Sequence, residues 1–151
     1  MKSLPNQAAF ELVCQLLAEG REVILRVEGE SMLPFFRSGC RIRILPIRND
    51  ELKPGHIVLG RTVSGHFVIH RILHIDAENI LLQGDGNLRV TENIPRERIY
   101  GYVACNRLHR LLARLWRSLG SLRRYPLWLI KRFDRPALAP RPDTSQKNRP
   151  E

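Results

Sequence analysis

Apolar and charged residues alternate along Glu22-Val-Ile-Leu-Arg-Val-Glu28 and again along Arg41-Ile-Arg-Ile-Leu45. Period two with β-branched residues is the pattern of a half-buried strand. Ile57-Val-Leu59, Phe67-Val-Ile-His-Arg-Ile-Leu73, Asn79-Ile-Leu-Leu82 and Ile99-Tyr-Gly-Tyr-Val103 add four more short strands. Turn signals separate them: Pro54-Gly55 after Asp50, Ser64-Gly65 as a two-residue hairpin loop, and Gly84-Asp85-Gly86-Asn87. Two stretches have helical spacing instead. Residues 5–19 place Ala8, Leu12, Leu16 and Leu17 on one side, with Pro5 suited to a first turn and Gly20 to a stop. From Asn106, Leu108, Leu111, Leu112, Leu115, Trp116, Leu119 and Leu122 follow one helix face, with Arg107, Arg110, Arg114 and Arg117 mainly on the other. Pro126 is expected to break this helix before a second apolar-and-basic piece, Leu127-Trp-Leu-Ile-Lys-Arg-Phe133.

The fold class expected is therefore mainly β: a small, mostly antiparallel barrel or folded sheet, with a short N-terminal helix and C-terminal amphipathic helices. The chain divides into a helix at 1–20, a body at 21–105, a basic helical segment at 106–135, and a Pro-rich tail at 136–151 expected to be disordered. The helix at 1–20 is expected to pack on the body as a lid.

Charge sharpens this division. The formal net charge of +10 sits almost entirely beyond residue 105, where 12 basic residues face 3 acids, while residues 1–105 carry 13 against 12. A neutral body argues against a nucleic-acid-binding domain and a basic tail argues for an anionic partner. Trp116 and Trp128 among arginines suit a membrane interface better than base stacking, so peripheral binding to an anionic membrane through 106–133 is an expectation. The competing expectation is that the leucine face packs back onto the body. Cys14, Cys40 and Cys105 are odd in number and widely spaced, which fits neither a disulfide framework nor a zinc knuckle. Neither a cleavable signal peptide nor a membrane-spanning helix is expected, because Asn6, Gln7, Glu11, Gln15 and Glu19 interrupt the first apolar positions and no run approaches roughly 18 apolar residues. A cytoplasmic or peripheral location is expected.

Candidate chemistry centres on Gly29-Glu30-Ser31-Met32-Leu33-Pro34, which places a serine on a sharp turn at the end of a strand. A serine hydroxyl needs a neighbouring base to become a nucleophile. His66, His70 and His74 are spaced by four, but on a strand such neighbours lie about 13 Å apart, too far to share a metal. No cofactor or metal is expected. His70 is the candidate base, because an imidazole exchanges protons near neutral pH. Asp85, in its glycine-flanked loop, is the candidate to orient it.

These boxes together resemble those of signal peptidase I-like serine peptidases. Ser31 in Gly-Glu-Ser-Met-Leu-Pro, His70-Arg71 and Gly84-Asp85-Gly86-Asn87 carry the likeness, which spans roughly residues 20–105. It extends to Lys53-Pro-Gly-His-Ile-Val58 and Ile99-Tyr-Gly-Tyr-Val103. Bacterial leader peptidases and the self-cleaving repressors of that superfamily use a lysine base; His70 matches the histidine type of the endoplasmic reticulum and archaea. The resemblance implies Ser31 as nucleophile, His70 as general base, an acid nearby, and an extended peptide or protein substrate with small side chains next to the cut. Asp85 is favoured as the acid, with Glu92 the alternative. Aspartates that the family often carries are replaced by Cys40 and His56, and Gly29 stands where a serine can assist the oxyanion hole. The function implied is an endopeptidase that removes a leader or signal segment through an acyl-enzyme. The alternatives are a non-catalytic peptide-binding relative and a self-cleaving repressor-like regulator.

Overall fold

A computed structural model describes residues 6–48 and 52–133. Pro5, Asp50 and the 136–151 tail lie outside the described residues. The described chain runs α1 (Asn6–Ala18), β1 (Val23–Arg26), β2 (Arg41–Pro46), β3 (Ile57–Arg61), β4 (Phe67–Ile75), β5 (Asn79–Gln83), β6 (Glu92–Pro95), β7 (Ile99–Val103), α2 (Arg107–Ser118) and α3 (Arg124–Phe133). The seven strands form one sheet in the order β1-β2-β7-β3-β4-β5-β6, every pair antiparallel.

The centre of the sheet is buried on both faces, and β3 explains how. Ile57 and Leu59 point into one core with Val27, Met32, Ile42, Ile44 and Val103, while Val58 between them joins Ile72, Ile80, Leu82, Ile94 and Ile99. Successive strand residues face opposite ways, so a short unbroken apolar run serves two cores at once. The N-terminal helix covers the first core, as a lid should. It does so with Phe10, Val13 and Leu17, whereas Ala8 and Leu12 face solvent. The helical face is rotated from the expected one because Phe10, Val13, Cys14 and Leu17 obey the same spacing rule, and the larger Phe10 ring stacks on Phe67 at 4.9 Å.

Three local expectations change. The β3–β4 hairpin closes through the three residues Val63–Gly65, with the Thr62 N–H bonded to the His66 carbonyl at 2.8 Å, in place of a two-residue loop. A further strand, β6, was not anticipated, because Asn93 and Pro95 are poor strand formers. It survives as an edge strand, where a missing N–H on Pro95 costs no internal ladder bond. The C-terminal helix also breaks earlier than expected. Asn106 caps its start, its side chain accepting the His109 N–H at 2.7 Å, and α2 ends at Ser118 before a 3-10 turn at Gly120–Arg123. Gly120, at φ +50, takes the left-handed conformation that stops the helix. Pro126 lies inside the first turn of α3, where its missing N–H has no intrahelical partner to lose.

Candidate active site

Residues 29–36 form a compact turn held from below. Met32 and Leu33 are 1% and 0% exposed, so two buried apolar side chains fix the turn on which Ser31 sits. The N–H groups of Phe35 and Phe36 both donate to the Met32 carbonyl at 3.0 Å, which tightens the far side of the turn. Leu33–Pro34 is a cis peptide. Ser31 and His70 line the same cleft, about 260 Å³, whose walls include Phe10, Val27, Met32 and Phe67. The strand β1 and the residues that follow it, Arg26 to Glu28, form one lip of that cleft.

His70 comes from the middle of β4 and is 5% exposed. Its Nδ1 lies 2.8 Å from a Glu92 carboxylate oxygen. A carboxylate only accepts, so Nδ1 carries a proton and donates it to Glu92, which leaves Nε2 on the other side of the ring. The far side of the ring faces the serine turn: a Cβ built on Gly84 would lie 3.1 Å from His70 Nε2 and would fall on the Ser31 carbonyl oxygen. Glu92 reaches His70 because it opens β6, paired with Leu82 of β5, two strands across from the β4 strand that carries His70.

Asp85 does not orient His70, contrary to the expectation above. Its two carboxylate oxygens accept from Arg71 Nε at 2.8 Å and from Arg71 Nη2 at 2.6 Å, and both side chains are 2% exposed. The third guanidinium nitrogen donates to the Gly55 carbonyl at 2.7 Å, and the group lies over the Phe35 ring. The physical reason is strand geometry. His70 and Arg71 are neighbours on β4 and so point to opposite faces, and a loop carboxylate can serve only one of them. A buried guanidinium without a counter-charge is far costlier than a neutral imidazole without one, so Arg71 takes the aspartate.

The glycines beside Asp85 have a different task from the one expected. The Gly86 N–H donates to the Ser31 carbonyl at 2.8 Å, and the Asn87 N–H closes the turn on the Gly84 carbonyl at 3.0 Å. A Cβ on Gly86 would lie 2.6 Å from the Glu30 carbonyl oxygen. Both glycines are thus small so that the backbone of this turn can dock against the backbone of the serine turn. Arg71–Asp85 locks the docked loop from behind.

His74 pairs with Asp76 at the exposed end of β4, and no group of three or more metal-ligating side chains occurs among the described residues. The three cysteines are free thiols, and burial raises the Cys14 pKa to about 11 despite the nearby Arg61 charge. Among the described residues no helix is long and apolar enough to cross a membrane.

An antiparallel sheet that brings a turn serine and a carboxylate-held histidine to one cleft has the arrangement of a serine peptidase. A family model described as Peptidase S24-like matches residues 3–103. The chain belongs to that family, which embraces the signal peptidase I-like and self-cleaving repressor-type serine peptidases. No curated protein and no solved structure matches the chain.

Proposed function

We propose that the protein is a serine endopeptidase of the signal peptidase I-like type that removes a leader or signal segment through an acyl-enzyme on Ser31. The observation that carries this reading is the pairing of His70 Nδ1 with Glu92 at 2.8 Å, with the other side of the ring turned to the serine turn. In the reaction Ser31 Oγ attacks the scissile carbonyl as His70 Nε2 accepts its proton. The tetrahedral intermediate collapses, the C–N bond breaks, and the same proton passes from Nε2 to the leaving amine. Water then attacks the acyl carbon as it loses a proton to Nε2, the C–Oγ bond breaks, and that proton passes to Ser31 Oγ, which frees the new carboxyl end and restores the enzyme. Glu92 holds the tautomer and offsets the imidazolium charge that each step creates. The backbone N–H of Ser31 is the proposed oxyanion donor, since Gly29 has no hydroxyl to offer. Asp85 is reassigned from catalysis to holding the loop.

The substrate is proposed to lie extended along the cleft beside Arg26, Val27 and Glu28, with a small side chain next to the cut as the family resemblance implies. A fluorophosphonate-type probe tests the reading in the full chain. One adduct is expected, mapped by peptide mass to Ser31 and lost in His70→Ala. An adduct of equal yield in that variant, or one on another residue, contradicts it.

A further inference from the structure

Helix α2 packs by its small and aromatic side, Ala113, His109 and Trp116, while its leucines stay exposed, and α3 buries Leu127. Ala113 and Leu127 are 2% and 4% exposed. His109 stacks on Phe36, and Trp116 Nε1 donates to the Asp85 carbonyl at 3.2 Å. At about 100° per residue the leucine arc then points away from the body. Leu108, Leu111, Leu115, Leu122 and Trp128 are each 61–64% exposed. An apolar strip of this length left open to water marks a surface that something covers.

Charge identifies the occupant. Residues 107–133 hold seven arginines and one lysine and no acid. Arg110, Arg114 and Arg117 stand together on the flank between the buried side and the leucine arc. With Lys53 they line a cleft of about 400 Å³. Burial first, and then the Arg71 charge, lower the Arg117 pKa, with Asp85 partly opposing and Arg123 adding to the shift. A second copy laid on this face would set two all-cationic segments against each other, with no carboxylate in either to pair them. An anionic surface complements both features.

We infer that α2 and α3 lie flat on an anionic lipid surface, with the leucine arc and Trp128 in the headgroup–acyl boundary and the arginine flank on lipid phosphates. The docked face stays tied to the candidate site. Trp116 holds the Asp85 turn, and Lys131 pairs with Glu30 of the serine turn at 3.5 Å. Docking would therefore bring the Ser31 cleft to a lipid surface, but binding itself needs no peptidase chemistry and is tested apart from it.

The test is sedimentation of the full chain with vesicles of equal phosphatidylglycerol and phosphatidylcholine, against phosphatidylcholine alone. The chain is expected to pellet with the anionic vesicles at about 0.02 M salt and to be released at about 0.5 M, since screening shortens the reach of surface charge. Neutralising Arg110 and Arg114 to Gln should weaken binding by about fivefold for each arginine removed. Leu111→Ser with Leu115→Ser, both on exposed positions that cost the fold little, should weaken binding and abolish the blue shift of tryptophan emission on vesicles. A full chain that stays in the supernatant with anionic vesicles, or a leucine double variant that binds undiminished, overturns the inference. So does a full chain that elutes as a dimer, becomes monomeric in the leucine double variant, and ignores vesicles.

Discussion

Asp85 and Glu92 are both carboxylates near His70 in the fold, and what separates their roles is the cation each one meets. Asp85 meets a buried guanidinium, so removing its charge leaves Arg71 uncompensated in a dry site. Asp85→Asn is expected to cost about 3–5 kcal/mol of stability. The double variant Arg71→Met/Asp85→Leu is expected to recover most of it, because it removes both charges together. Glu92 meets the His70 ring nitrogen at the cleft, 2.8 Å away. Glu92→Gln should leave the melting curve nearly unchanged and lower the turnover of any cleaved peptide by about 10²- to 10⁴-fold. Paired thermal melts and turnover assays on these variants check the assignment; a Glu92→Gln enzyme of full activity would return the orienting role to another group. The sequence contained a sign of this division. Arg71 lies inside the apolar run Ile69-His-Arg-Ile-Leu73, and a charge there needs a carboxylate of its own. That competing demand on Asp85 was legible. The route to Glu92 was not, because it depends on a pairing between β5 and the Pro-containing β6 that periodicity does not mark.

At the scale of elements, the Gly-Asp-Gly turn and the serine turn are one unit formed by backbone contact. Gly84→Ala places a methyl group on the Ser31 backbone carbonyl, with the Asn87 and His70 side chains 3.1 Å away on its other sides. The two turns should part, and activity should fall by at least about tenfold even where the variant remains folded. Circular dichroism and turnover together check this, and an active Gly84→Ala protein would mean the turns are not coupled. The docking of α2 on the same turns carries a pH dependence through His109. Both ring nitrogens are buried without a hydrogen bond, and the ring packs against Phe35 and Phe36. Burial first, and then the Arg71 charge, lower its pKa from the ordinary 6.5, with Asp85 partly opposing. The unfolded chain then takes the proton more readily, so this packing stabilises fully above about pH 6.5 and is lost as the pH falls below it. Stability measured from pH 8 to 5 should decline in the wild type and decline less in His109→Phe. Equal slopes would remove His109 as the cause. Elements with strict periodicity were the readable ones: β2, β4 and β7 carry alternating or β-branched runs, and the α2 leucines obey helical spacing. Which side of α2 packs was not readable, since the spacing defines the leucine arc without saying what covers it.

The whole molecule is a neutral β body with a basic helical segment laid across the two turns of its candidate site. Its division of labour follows from burial. Apolar strand residues hold the sheet, a buried ion pair fixes a loop, and Ser31 and His70 line one cleft. Most of this architecture was legible because seven antiparallel strands are separated by short turns, so local pattern and global fold agree. The site was legible as residue types and order, but its third member was decided by non-local geometry. Cleavage of peptide bonds through Ser31 is decided by comparing the full chain with a variant that lacks the hydroxyl. A randomised library of extended peptides is incubated at neutral pH with the full chain and with Ser31→Ala, and the products are compared by mass spectrometry. Products with a small residue at the new carboxyl end are expected from the wild type and none from Ser31→Ala, with both proteins melting alike because a partly exposed turn hydroxyl contributes little to packing. Identical products from both proteins, or none from the wild type, would contradict it.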